Sequence, residues 1–250
     1  MKQLNQKVAF VTGATGGIGQ AICHALALAG AKVVVGYNSS KEKAQLIVEQ
    51  LPKVGGEHQI CFAKVTDSNS LNQAAKLIDD QYARCDILVN CAGITQFVAH
   101  DDLDALDDTL IDTILSTNVR GAIATIRAFK PLLSRSDDAL IVNISSIAAR
   151  TAMGSNIIYC ASKAALDNLT ISLARALAPT IRVVSVAPGL SDTEFVKGLD
   201  QPWREQQSAL TPLGRLALPE EVADAVVAVA THLTFTTGAI IPVDGGRPIR

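Results

Sequence analysis

Aromatic residues are scarce in this chain: of 250 residues only 4% are Phe, Trp or Tyr, with a single tryptophan, although 48% are hydrophobic. A core must therefore be built from Ala, Val, Ile and Leu, the small and branched side chains that suit strands buried beneath helices on both faces. Charge of one sign is not in excess. The formal net charge is −2 and no basic stripe occurs, so the electrostatic footprint of a nucleic-acid binder or of an anionic-membrane binder is missing. No apolar run approaches the ~18 residues of a membrane span, because His24 and Lys32 interrupt the longest candidate. Residues 1–7 pass straight into a strand-like run without the apolar core and cleavage site of a signal peptide, and a cytoplasmic protein is expected. Cysteine is sparse as well. Cys23, Cys61, Cys85, Cys91 and Cys160 are odd in number and lack a C-x-x-C pair, which argues for buried reduced thiols over a disulfide framework or a zinc site. His24, His58, His100 and His232 show no metal-ligand spacing. The acidic run Asp101, Asp102, Asp104, Asp107 and Asp108 reads as a solvated helix start.

What is present alternates. Short β-branched runs at residues 7–12, 32–36, 57–64, 86–89, 140–144, 181–187 and 239–243 are separated by helical patterns at 17–30, 40–51, 68–83, 103–133 (one or two helices), 156–178 and 219–231. Serine at 68 and proline at 219 stand where helices begin. Strands alternating with helices predict an α/β fold, a Rossmann-like doubly wound parallel sheet of seven strands with helices on both faces. The length suits one domain spanning residues 1–250. The segment 191–213 is too long for a simple connection. It reads either as a mobile lid over a substrate pocket or as a surface helix whose Phe195 and Trp203 pack locally.

Tyr159 and Lys163 are four residues apart, with Ser146 thirteen residues before the tyrosine. On a helix such a pair shares a face. A cation there favours phenolate over phenol, so the tyrosine can trade protons with a substrate oxygen that a second donor, Ser146, holds in place. The run Thr12-Gly13-Ala14-Thr15-Gly16-Gly17-Ile18-Gly19 follows the first strand. A glycine-rich turn at that point lets backbone amides and a helix N-terminus approach a pyrophosphate. Two spacings are available, Gly13-Gly17-Gly19 and Gly13-Gly16-Gly19. After the second strand no acidic residue precedes Glu42. Asn38, Ser39, Ser40 and Lys41 offer hydrogen bonds and one positive charge, which suits a 2′-phosphate, while Ser39 or Ser40 also suits a helix cap.

With these motifs the chain resembles the short-chain dehydrogenase/reductase family in its compact single-domain form. Further matches are Asn90-Cys91-Ala92-Gly93, Asn118-Val119-Arg120-Gly121, Asn143-Ile144-Ser145-Ser146, Tyr159-Cys160-Ala161-Ser162-Lys163, Pro188-Gly189 and Val243-Asp244-Gly245-Gly246. The resemblance implies a catalytic set of Tyr159 as acid/base, Ser146 as the donor to the carbonyl with Ser145 its rival, Lys163 on the nicotinamide ribose, and Asn118 positioning a relay water. It implies cofactor contacts from Gly13, Thr15, Gly17, Ile18, Gly19, Asn38, Ser39, Ser40, Val65, Asn90, Ala92, Gly93, Pro188 and Gly189, with Thr193 on the nicotinamide amide. Two residues depart from the family pattern. Lys64 stands where an adenine-binding Asp is usual, a contact that Asp67 is then expected to supply, and Cys91 replaces a second Asn.

The expected activity is an NADP(H)-dependent oxidoreductase acting on a ketone/secondary alcohol pair, in general pattern nearest to 3-oxoacyl-[acyl-carrier-protein] reductases. Only Arg120, Arg127 and Arg150 stand near the site as contacts for an acidic carrier. The alternatives are an NAD(H)-dependent polyol, sugar or hydroxysteroid dehydrogenase and a non-catalytic dinucleotide-sensing protein. The resemblance also implies a homotetramer, or a homodimer, built through helices at 120–133 and 156–178; no metal is expected, and the charge and apolar patterning lead to no expectation of a nucleic-acid or membrane partner.

Overall fold

The strands form because runs such as Val8–Thr12 are almost wholly apolar and are buried at every position, as strands covered on both faces must be. The computed structural model describes residues 4–249, the side chain at 195 excepted. Its strands are β1 (Val8–Thr12), β2 (Lys32–Tyr37), β3 (Gln59–Phe62), β4 (Ile87–Asn90), β5 (Ala139–Ile144), β6 (Ile181–Pro188) and β7 (Ile240–Val243). They make one seven-stranded sheet in the order β3-β2-β1-β4-β5-β6-β7, and every neighbouring pair is parallel. The order reverses between β1 and β4, and a crevice opens above the carboxyl ends of the strands at such a switch point.

The helices are α1 (Gly17–Leu28), α2 (Lys41–Gln50), α3 (Ser68–Tyr82), α4 (Asp108–Leu115), α5 (Gly121–Leu133), α6 (Ala148–Thr151), α7 (Ile157–Leu177), α8 (Glu194–Lys197), α9 (Gln201–Ala209) and α10 (Pro219–Thr231). Side chains alternate across a strand, so each strand feeds two cores. Ala9, Val11, Val33 and Val35 pack with α1, α2 and α10 on one face. Val8, Phe10 and Val34 pack with α3, α5 and α7 on the other. With so few aromatics, one pair is prominent: Phe10 stacks on Phe129 with ring centroids 4.5 Å apart and planes 5° from parallel.

Several boundaries differ from the sequence expectation. The first helix stops at Leu28, not 30, where Gly30 takes φ +99°. β3 is shorter than 57–64, because the His58 ring takes over the ladder at its start: Val33 N donates to His58 Nδ1 at 3.0 Å while Nε2 donates to the Pro52 carbonyl at 2.9 Å. Residues 103–133 resolve into α4 and α5 joined by a π-helical turn at Ser116–Arg120. The acidic run works as helix-start chemistry, with Asp107 Oδ1 accepting from Leu110 N at 2.8 Å and Asp108 in the first turn of α4.

Within 191–213 lie α8 and α9, pinned at both ends. Asp192 N donates to the Ala217 carbonyl at 2.8 Å, Arg204 pairs with Asp192 at 2.7 Å, and Arg247 grips the Gln207 carbonyl at 2.7 Å. Trp203 is half-buried, and the Phe195 side chain lies outside the described residues. Among those residues no helix is long and apolar enough to cross a membrane.

Candidate active site

The expected site residues gather along one edge, on the loops that follow β1 to β6 and on the first turns of α7. In the loop after β1, the backbone itself decides between the two glycine spacings. A Cβ on Gly13 (φ +63°) would stand 2.7 Å from Ala92 Cα, and one on Gly19 would stand 2.4 Å from the Gly13 carbonyl oxygen. At Gly17 it would press on Thr193 Cγ2 at 3.0 Å, whereas at Gly16 the nearest atom is 3.4 Å away. The constrained set is thus Gly13, Gly17 and Gly19. Thr12 locks this turn to the next loop: its hydroxyl donates to the Val89 carbonyl (3.3 Å) and accepts from Cys91 N and Ala92 N (both 3.2 Å). The α1 N-terminus has no side-chain cap, so its first amides face the crevice unclaimed, with Thr15 and Ile18 half-exposed beside them. Such a cradle fits the pyrophosphate of a dinucleotide.

On the far side of the cradle Gly189 is tightly placed and Gly93 is not. A Cβ on Gly189 would meet Asp244 Cα at 3.1 Å, and one on Gly93 would meet Asn118 Oδ1 at 3.4 Å and Lys163 Nζ at 3.5 Å. Pro188 ends β6, and Thr193 caps α8, accepting from Val196 N at 3.4 Å. Beneath this floor runs a buried amide chain. Asn90 Nδ2 donates to Asn143 Oδ1 (2.9 Å) and Asn143 Nδ2 to Thr170 Oγ1 (2.9 Å).

At the adenosine end, Asn38 and Ser39 are exposed and Ser40 stands at the N-cap position of α2, yet its hydroxyl makes no capping bond. Ser40 is thus the N-cap by position, its carbonyl accepting from Ala44 N at 3.1 Å, without a bond from its side chain. Asp67 is the true cap of its neighbourhood. Its Oδ1 accepts from Asn69 N (2.9 Å) and Ser70 N (3.4 Å), so this oxygen is engaged in starting α3. The buried Val65 side chain packs into the core, which leaves only its backbone toward the crevice.

The reacting groups converge on α7. Lys163 is 6% exposed; its Nζ donates to the Ile144 carbonyl at 2.8 Å and lies 5.7 Å from the centre of the Tyr159 ring. Ser146 Oγ accepts from Ala148 N at 3.1 Å, which leaves its own proton free to donate. Ser145 is buried and differently employed: its hydroxyl donates to the Lys163 carbonyl (3.3 Å) and reaches the Asp167 carboxyl. Geometry thus separates the two serines. Asn118 lies in the π-helical turn, a widened turn that sets its side chain inward. Its Nδ2 donates to the Ile94 carbonyl (3.0 Å) and to Ser162 Oγ (3.1 Å), and its Oδ1 accepts from Ile94 N (2.8 Å). Both amide protons are spent, so the side chain braces the turn after Gly93.

Burial pushes the Cys91 thiol up to about 11 despite the nearby Lys163 charge. It also raises the Asp167 carboxyl, against hydrogen bonds from Ser145 and Ser185 and the charges of Lys163 and Arg150. The sequence reading missed Asn156, Asp167 and Thr170. Their polar character inside an apolar helix pattern was the available signal.

A family model described as Enoyl-(Acyl carrier protein) reductase matches residues 13–247. A granaticin polyketide synthase ketoacyl reductase of Streptomyces violaceoruber is 37% identical over 241 residues, 96% of this chain and 95% of that protein. A 3-oxoacyl-[acyl-carrier-protein] reductase of Thermotoga maritima is 32% identical, covering 99% of this chain and all of its own length. Among solved structures, the angucycline C-6 ketoreductase LanV with bound NADP superposes with a TM-score of 0.91 at 30% identity, covering all of this chain and 98% of the other.

Proposed function

The chain belongs to the short-chain dehydrogenase/reductase family and is an NAD(P)-dependent oxidoreductase, and on that premise we propose that it is an NADP(H)-dependent ketoreductase, with 3-oxoacyl thioesters the first class to test. The observation that carries this reading is a Ser146 hydroxyl whose proton is uncommitted, two residues beyond the Ile144 carbonyl that holds Lys163 by the Tyr159 ring. The bound cofactor supplies the hydride. Ser146 donates to the substrate carbonyl oxygen, where negative charge develops. Tyr159 delivers the proton to that oxygen. The Lys163 ammonium, fixed by the Ile144 carbonyl, places positive charge beside the ring, and Asn118 with Ser162 keeps the Gly93–Ile94 turn from closing on the nicotinamide side.

Support for NADP(H) over NAD(H) comes from charge at the adenosine end. Tyr37 pairs with Phe62 and Ala63 N donates to the Tyr37 carbonyl at 2.7 Å, so Lys64 emerges beside Asn38 and Ser39. Lys64 and Lys41 are both exposed there, with the Ser40 hydroxyl free of capping duty. Two cations and no carboxylate before Glu42 suit a 2′-phosphate. The LanV structure holds NADP as well. Calorimetric titration should show NADP+ binding at least about tenfold more tightly than NAD+, and Lys64→Asp should erase most of the difference. Equal affinities in the parent protein would overturn the NADP reading.

The name of the matching family model favours a second substrate, the conjugated C=C bond of an enoyl thioester. Oxidation of NADPH at 340 nm with a 3-oxoacyl thioester and an enoyl thioester in parallel separates the two, and turnover of the enoyl substrate alone would overturn the ketoreductase reading. The chain is further read as a single domain in which 191–213 covers the substrate side, and as a homotetramer through the helical faces at 120–133 and 156–178. Light scattering tests the assembly.

A further inference from the structure

Asp167 is an ionisable group of the catalytic helix that the proton transfer above does not use. It follows Lys163 by four residues and Tyr159 by eight in α7. The three therefore lie along one ridge of the helix, with successive Cβ atoms roughly 5–6 Å apart. Asp167 is 9% exposed, and two hydroxyls reach its carboxyl from the sheet. Ser185 Oγ, on β6, donates to Oδ1 at 3.0 Å, and the Ser145 hydroxyl, just past β5, bonds the carboxyl as well.

Both hydroxyls also have a carbonyl within reach. For Ser185 it is that of Asn143 at 3.2 Å, and for Ser145 that of Lys163 at 3.3 Å. A hydroxyl carries one proton, so each can turn it to Asp167 when the carboxyl is charged and to its carbonyl when the carboxyl is neutral. The site thus accommodates both states of the acid without rebuilding. The charged groups that face it are Lys163 on its own helix and Arg150, exposed on α6. Lys163 Nζ turns to the Ile144 carbonyl at 2.8 Å, so its charge and that of Asp167 act on each other through space.

We propose that Asp167 is the counter-charge that sets the pH range of the Tyr159–Lys163 pair, a positioning residue that acts through the Lys163 ammonium. An ammonium beside a phenol favours the phenolate, and a carboxylate on the other side of that ammonium opposes it. The inference rests on Tyr159 as the proton donor of the ketoreductase reading and adds what fixes the pH at which it works.

The test is the alkaline limb of kcat/KM for a ketone with NADPH saturating, where reduction fails as the tyrosine loses its proton. Asp167→Asn keeps the volume and hydrogen bonds and removes the charge. Its limb should move toward lower pH by about 0.5. Asp167→Ala should move the limb as far while melting lower, because it loses the hydrogen bonds as well. Ultraviolet titration of the phenolate, taken as the difference from the Tyr159→Phe protein, should move with the limb and needs no substrate. The melts carry a second signature. A folded-state value raised above 3.8 by burial means stability present below 3.8 and lost as pH rises through that higher value. Asp167→Asn escapes that loss, so its thermal midpoint should climb relative to the parent's between acid and neutral pH. An unmoved limb and an unmoved phenolate titration in folded Asp167→Asn would overturn the proposal and leave the ketoreductase reading standing. Absence of turnover with every ketone in the parent protein would overturn that reading, and the phenolate titration would still decide the role of Asp167.

Discussion

Ser145 and Ser146 are adjacent in sequence, yet the chain gives them different work. Ser145 points into the core and ties the Lys163 carbonyl and Asp167 to the end of β5. Ser146 takes only an amide from Ala148 and keeps its proton available. Ser146→Ala should therefore lower kcat by roughly 10²–10³ with little change in thermal midpoint, as loss of one oxyanion donor does. Ser145→Ala should instead cost about 1 kcal/mol of stability by removing a buried hydroxyl that bonds the Lys163 carbonyl and Asp167. Parallel kinetics and thermal melts check the pair, and a kinetic loss larger in Ser145→Ala would reverse the assignment. The spacing to Tyr159 favoured Ser146 in the sequence alone, and the hydrogen bonds supply its reason. Asn156 was not legible in that way, because its partner at Gln96 is 60 positions away. Nor was Asp167, whose Ser185 contact at 3.0 Å spans 18. A pattern along the chain reports neighbours one turn or one pleat away, not contacts that only the sheet brings about.

Turns and helix starts carried much of what could be read at the level of elements. The glycine turn after β1 was visible as a motif, but its true spacing was ambiguous until the backbone showed which positions exclude a Cβ. Gly19→Ala forces a methyl to 2.4 Å from the Gly13 carbonyl oxygen, while Gly16→Ala meets nothing closer than 3.4 Å. NADPH affinity, followed by cofactor fluorescence, should fall at least about tenfold in Gly19→Ala and stay near the parent's in Gly16→Ala. Equal losses would mean that the 13-16-19 spacing governs binding. Helix caps proved less legible. Ser40 stands at the N-cap of α2 without a side-chain bond, whereas α3 is capped by the Asp67 side chain, one residue before the Ser68 expected there. Local chemistry permits either residue to cap, and only the entry angle of the strand before it decides.

The fold as a whole was legible because a sheet covered on both faces needs nearly continuous apolar strands, and the chain supplies them at regular intervals. What the sequence could not show is how the end of the sheet opposite the site is secured. Asp86, 0% exposed, receives Arg84 (2.5 Å), Ser136 (2.5 Å), the Val8 amide (2.9 Å) and Lys7 (3.2 Å). Burial opposes its charge, yet Arg84, Ser136, Val8 and Lys7 together hold the carboxyl below its ordinary 3.8. A depressed folded-state value means stability that is present above 3.8 and lost as pH falls through the lower folded-state value. Asp86→Asn should cost about 2 kcal/mol at neutral pH, a fall of roughly 4–8 °C in thermal midpoint. The gap from the parent should close in acid below that ordinary value. A gap that persists there would show that packing, not charge, is what Asp86 provides.

The central claim is that Tyr159, beside Lys163 and opposite Ser146, passes the proton to an oxygen that receives a hydride at the neighbouring carbon. Tyr159→Phe tests it most directly, since the ring and its packing remain and only the hydroxyl is removed. With a turned-over ketone and NADPH, kcat should fall by roughly 10²–10⁴ while NADPH binds as tightly as to the parent protein. Retained turnover with intact cofactor binding would contradict the account.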